Sequence, residues 1–169
     1  MYMIGTVQHG FLKGILFGSI YFEQTGNAVA LAPDGNTVIF GSIRAQNGNN
    51  LNTGSVEIHT WDGSEWVQKG DTLYGTDNDG DTGSSVSISS DSNTIAFGSS
   101  RALNVDGDIV GSVQVYEWNG SAWVSRGNTF SGIDDNGLTG SSVALSSNGD
   151  TLAYGSSRAL NETEIKLVK

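Results

Sequence analysis

Three aspartates at alternate positions, Asp77, Asp79 and Asp81, stand in the stretch GTDNDGDTG, residues 75–83. Carboxylates at that spacing are how a calcium loop begins, because Ca2+ gathers six to eight oxygen ligands. The usual completions are missing. Counted from Asp77, Thr82 stands sixth and Ile88 twelfth, where an EF-hand loop needs Gly and Glu. Calcium at Asp77, Asp79 and Asp81 is therefore the one cofactor to test, and the expected state of the stretch is a solvated connection holding none.

Three arginines come next. Arg44, Arg101 and Arg158 stand in GSIRA, GSSRA and GSSRA, in a chain with only 8 basic residues. A row of guanidinium groups on one face would bind an anionic ligand. The structural alternative is that each packs its stem on a neighbouring element and pairs with an acid or a carbonyl, and this is the expected role.

The other chemistries fail on spacing. His9 and His59 are the only histidines and share no metal-ligand pattern. Neither a G-x-S-x-G nucleophile elbow nor a G-x-x-x-x-G-K-[ST] phosphate loop occurs. Aspartates are plentiful in turns, where their side chains cap backbone N–H groups, so no acid–base pair is singled out. Asn119-Gly120-Ser121 and Asn161-Glu162-Thr163 are sequons, relevant only in a eukaryotic secretory pathway.

These residues sit in a chain that repeats itself. GNAVALAPDGNTVIFGSIRA, GSSVSISSDSNTIAFGSSRA and GSSVALSSNGDTLAYGSSRA begin at Gly26, Gly83 and Gly140, 57 residues apart each time. Between residues 26–82 and 83–139 about 25 of the 57 positions are identical. Each unit reads as four short strands. Val86 and Ile88 point one way while Ser87 and Ser89 point the other. PDGN, SDSN or SNGD turns lead to TVIFGS, TIAFGS or TLAYGS. After a polar loop come GSVEIHTW or GSVQVYEW. Asp62-Gly63 and Asn119-Gly120 then predict a tight type I′ hairpin into EWVQKGDTLYG or AWVSRGNTFSG. In this scheme His59 replaces Tyr116 at an aromatic strand position.

Four antiparallel strands repeated without helices predict blades of a β-propeller in an all-β fold. Gly41, Gly98 and Gly155 end the second strand, where backbones of neighbouring blades can approach closely. Trp61 with Trp66, and Trp118 with Trp123, flank the hairpin and are placed to cover the layer between blades. Residues 1–25 read as the degenerate end of a preceding repeat, with a worn fourth strand over 10–18. Units follow at 26–82 and 83–139, then a partial unit at 140–169. That is about three blades, an incomplete ring, whereas propellers close with four to eight. Further blades or self-association are expected to complete it.

On these residues the chain resembles the FG-GAP-like (integrin-alpha-like) repeat family. The group it matches lacks the integrin calcium loop, D-x-D-x-D-G-x-x-D between the first two strands. The match covers residues 26–161. It implies a propeller, seven-bladed when complete, with adhesion or ligand-binding roles in secreted or cell-surface proteins. APDGNTVIFGS also resembles TolB-type and WD40-like propellers, but those repeats are shorter, about 40–45 residues, and leave the tryptophan pair unexplained.

Charge narrows the partners. The net charge is −10 and the pI about 4.3, so no nucleic-acid partner is expected, since phosphates call for a basic face. The start, MYMIGTVQHGFLKGILFGSIYF, has no basic region before its apolar part and is interrupted by Lys13. It reads neither as a signal peptide nor as a membrane span. The resulting expectation is a non-enzymatic binding or adhesion module, extracellular or at the cell surface, with a protein or carbohydrate ligand. Its contact surface would be the variable loops Gln46–Thr53 and Leu103–Val110. The alternatives are a scaffold segment of a propeller hydrolase or lyase whose active site needs other blades, or a TolB/WD40-like interaction propeller.

Overall fold

A computed structural model describes residues 23–159, with the strand segments β1 (Met3–Ile4), β2 (Val7–Gln8), β3 (Phe11–Leu12), β4 (Leu16–Phe17) and β17 (Ile165–Val168). His9, Asn161 and most of the expected worn strand over 10–18 lie outside the described residues. Within that expected strand two segments are described, β3, paired antiparallel with β2, and β4, paired antiparallel with β1, so it is not one continuous strand.

The first complete blade holds β5 (Thr25–Leu31), β6 (Thr37–Ser42), β7 (Ser55–Trp61), β8 (Trp66–Gln68) and β9 (Leu73–Tyr74). The second holds β10 (Thr82–Ile88), β11 (Thr94–Ser99), β12 (Ser112–Trp118), β13 (Trp123–Ser125) and β14 (Phe130–Ser131). A third begins with β15 (Thr139–Leu145) and β16 (Leu152–Ser156), with β17 against β16. All pairings between these strands are antiparallel. Among the described residues there is no helix. The architecture is the all-β set of four-position blades expected of a propeller segment, and the ring is not closed.

The fourth position of each blade is shared by two segments. β8 and β9 both pair with β7, and β13 and β14 both pair with β12. The break falls at Lys69-Gly70 and Arg126-Gly127, where the glycines adopt φ of +78° and +84°. That left-handed backbone costs Gly little and interrupts the pleat.

The hairpin before it differs from the expected turn type. Positive φ falls on Gly63 and Gly120 alone, at 108° and 100°, the pattern of a type II′ turn. Asp62 and Asn119 stay at the corner and use their side chains instead. Asp62 Oδ1 accepts the N–H of Ser64 and Glu65 at 2.7 and 2.8 Å, and Asn119 Oδ1 accepts those of Ser121 and Ala122 at 3.0 and 2.9 Å. These bonds, that from Glu65 foremost, hold the Asp62 carboxyl below its usual range.

Each first strand opens with a Thr-Gly pair. Gly26, Gly83 and Gly140 take φ of 81°, 86° and 82° and carry a bulge in the pairing to the second strand. The threonine before each is buried, and its hydroxyl meets a serine hydroxyl at the end of the second strand. The pairs are Thr25–Ser42 at 3.2 Å, Thr82–Ser99 at 2.9 Å and Thr139–Ser156 at 2.8 Å.

The blades join through side chains and backbone together. Ile39, Val56 and Ile58 of the first blade pack on Ile95, Phe97 and Trp123 of the second. One repeat on, Ala96, Val113 and Val115 pack on Leu152 and Tyr154. At the inner ends, the first strands run side by side: Ser85 Oγ donates to the Gly140 carbonyl at 2.8 Å and the Leu145 N–H donates to Ser87 Oγ at 2.9 Å. A Cβ on Gly41 would overlap the Gly83 carbonyl, and one on Gly98 the Gly140 carbonyl. The close approach expected at these two glycines is therefore present. At Gly155 a Cβ would meet only Ser142 Oγ, at 2.7 Å.

Candidate functional site

The blade-to-blade connections and the variable loops emerge on one face. Residues 75–81 run from β9 to β10, and two loops grip them. Asn52 donates its N–H to Asn78 Oδ1 at 3.1 Å and its carbonyl accepts the Asp79 N–H at 2.9 Å. Leu103 donates its N–H to Asp77 Oδ2 at 3.0 Å. The three aspartates are thereby dealt to three partners. Asp77 serves the next blade's loop. Asp79 pairs with Arg44 at 2.9 Å. Asp81 faces Arg101 Nε at 3.9 Å. Among the described residues no three His, Asp or Glu side chains converge as a metal ion would require.

The connection also bends sharply. Asp79 and Asp81 have φ of 57° and 55°, and their counterparts Asn136 and Leu138 have 56° at both. Alternate left-handed residues turn successive side chains to different sides, which explains why even spacing in sequence did not give a common focus.

Asp81 is the chemically distinctive member. Its side chain is 15% exposed, and Oδ1 is buried without a hydrogen-bond partner. Burial raises its pKa above the ordinary aspartate value, offset by the Arg44 and Arg101 guanidinium groups and reinforced by Asp79.

The arginines share a backbone role that the repeat imposes. The N–H groups of Arg44, Arg101 and Arg158 donate to the carbonyls of Glu23, Gly80 and Gly137 at 3.0, 3.1 and 3.0 Å, tying each second-strand end to the connection entering its own blade. Their side chains diverge. The Arg158 guanidinium has no ion-pair partner among the described residues, in keeping with Asn136 and Leu138 standing where the acids would be.

Beside this cluster a polar crevice of about 320 Å3 opens between the first and second blades, lined by Tyr74, Thr76, Asp77, Ser99, Gln114 and Tyr116 among others. His59 takes no part in it. Its ring stacks on Phe40 at 5.4 Å between centroids, as Tyr116 stacks on Phe97 at 5.6 Å, and Nε2 meets Glu57 at 3.2 Å. It fills the aromatic strand position expected of it.

Two features escaped the sequence reading. Asn47 and Asn104 shape both variable loops alike: Asn47 Oδ1 accepts the N–H of Asn49 and Leu51, and Asn104 Oδ1 those of Asp106 and Asp108. The signal was one shared Asn in otherwise different loops. Lys69 and Arg126 form the other pair. Lys69 Nζ donates to the Ser92 carbonyl at 2.7 Å and to Asn93 Oδ1 at 3.2 Å. Arg126 reaches the Gly149 carbonyl and Asp150 Oδ1, both at 3.1 Å. K-G and R-G recur at the repeat spacing just as the arginines of GSxRA do.

No family model matches the chain, and no curated protein matches it. Solved structures do. A 6-phosphogluconolactonase candidate from Bacteroides uniformis superposes on 98% of this chain and 46% of its own, with a TM-score of 0.55 at 13% identity. The periplasmic gluconolactonase PpgL of Pseudomonas aeruginosa superposes on 94% of this chain and 42% of its own, with a TM-score of 0.54 at 18% identity. The chain thus spans less than half the length of these neighbours. At such identities the likeness speaks for the fold. It also corrects the expectation of a non-enzymatic binding or adhesion module, because the neighbours sharing these blades carry lactonase names.

Proposed function

We propose that these blades are a segment of a propeller hydrolase of the lactonase type, supplying scaffold and part of the loop-bearing face over which a lactone binds. The observation that carries this reading is the match to two lactonase-named propellers across nearly the whole chain. The substrate class would be a sugar lactone. The net charge of −10 favours a neutral lactone over its phosphate ester. Hydroxyl, amide and tyrosine side chains of the crevice suit a polyol ring. In hydrolysis a water adds to the lactone carbonyl and the ring C–O bond breaks, yielding a hydroxy acid. Of the carboxylates in this segment, Asp77 lines the crevice and is the one placed to take the proton from that water. The test is hydrolysis of glucono-1,5-lactone and its 6-phosphate by the protein carrying these blades, with residual lactone trapped by hydroxylamine. Turnover above the spontaneous rate, lowered by Asp77→Asn, is expected. If neither lactone is hydrolysed faster than in buffer and neither shows line broadening on adding protein, the reading fails.

A further inference from the structure

One groove of this chain has an occupied twin. Between the first and second blades, the indoles of Trp118 and Trp123 sit over Lys69-Gly70. Trp123 Nε1 donates to the Lys69 carbonyl at 2.7 Å. Lys69 Nζ lies 5.2 Å from each ring centroid, in cation–π range. A Cβ on Gly70 would stand 2.8 Å from both rings. One repeat on, the same platform is Arg126-Gly127. Arg126 is anchored on Gly149 and Asp150 as Lys69 is on Ser92 and Asn93. Yet a Cβ on Gly127 would meet nothing within 4 Å among the described residues. In place of the two rings is a groove of about 240 Å3, floored by Val115, Phe130, Leu145 and Leu152 and flanked by Arg126.

From this pairing we infer that the Arg126-Gly127 groove is a socket for a further tryptophan hairpin of W-x-G-x-x-W type. Register supports the occupant. Val168 opposes Leu152 as Tyr116 opposes Ile95, so a hairpin joined in register to β17 would fall where Trp118 and Trp123 stand one blade earlier. A second copy of this chain is a poorer fit, because its own hairpins are already seated. Trp123 is hydrogen-bonded in place, and Trp66 Nε1 is fully buried. The socket is independent of any lactone chemistry.

The experiment extends the full chain after Lys169 with this protein's own hairpin sequence, WNGSAWVSRGNTFS. The control extension has both tryptophans replaced by alanine. The tryptophan extension should raise Tm by about 5 °C or more over the control and shift indole emission to the blue. Gly127→Asn, which tolerates the left-handed backbone but fills the groove, should abolish that gain. Equal Tm values for the two extensions would overturn the inference. If the extended chains do not fold, a free peptide of residues 112–131 decides. It should shift the methyl resonances of Val115, Leu145 and Leu152 but not those of Ile39 and Ile58, and unmoved Leu145 and Leu152 methyls would overturn it equally.

Discussion

Between the first and second blades, Gly70 lies beneath two indole rings; between the second and third, Gly127 has no described residue over it. The strand residues at the two interfaces match position for position. Ile39, Val56 and Ile58 correspond to Ala96, Val113 and Val115, and Ile95 and Phe97 to Leu152 and Tyr154. What differs is the outer end, where Trp118 and Trp123 complete the first interface. The repeat therefore separates two jobs. Inner strands hold blades together by backbone approach and aliphatic packing, whereas the outer hairpin seals the layer with aromatic area and one directed hydrogen bond.

The largest expected effect tests the inner contact common to both interfaces. Gly98→Ala puts a Cβ into the Gly140 carbonyl, and rigid backbone cannot yield, so a loss of about 3 kcal/mol or more in urea unfolding is expected. Gly155→Ala meets only a serine hydroxyl, which can rotate away, and should cost below about 1 kcal/mol. Equal losses would show that the close approach does not hold the blades. Comparable in size is the outer seal: Trp123→Ala should cost about 3 kcal/mol, removing a buried aromatic and the bond to Lys69. A change below 1 kcal/mol would mean the filled and open sockets are energetically alike.

A smaller effect isolates the sockets directly. Gly70→Ala and Gly127→Ala both meet a left-handed backbone, worth about 1–2 kcal/mol, but only the former also meets indole atoms at 2.8 Å. It should be the costlier by about 1–2 kcal/mol in the same unfolding measurement. The smallest concerns the face rather than the layer. Asp81 has a raised pKa, so the folded chain holds its proton more tightly than the unfolded chain does. That stabilising contribution is complete below the ordinary value of 3.8 and is lost as pH rises through the folded value. Tm measured from pH 3.5 upward should therefore fall less steeply in Asp81→Asn than in the parent protein. Parallel curves would remove the burial argument.

Much of the fold was legible because alternation and turn chemistry are local. Val86 and Ile88 against Ser87 and Ser89 name a strand with one apolar face. Thr82-Gly83 survives in every copy because the bulge needs the glycine and the buried pair with Ser99 needs the hydroxyl. The site was legible only in part. Asp77, Asp79 and Asp81 suggested one focus, but backbone bends sent them to Leu103, Arg44 and Arg101. Lys69 was passed over because its partners, the Ser92 carbonyl and two indoles, belong to the next blade and leave no mark within its own unit.

By itself, then, the sequence determined the strands, their order within a blade and the repeat that stacks one blade on another, since each rests on period-two burial and on glycines whose φ few other residues adopt. Tertiary structure alone decided which carboxylate stands half-buried between two arginines. It alone decided, too, which of two identical Gly platforms is covered. Both depend on contacts between units, where residues far apart in the chain meet, and a side chain's burial and charge environment exist only once those units are docked.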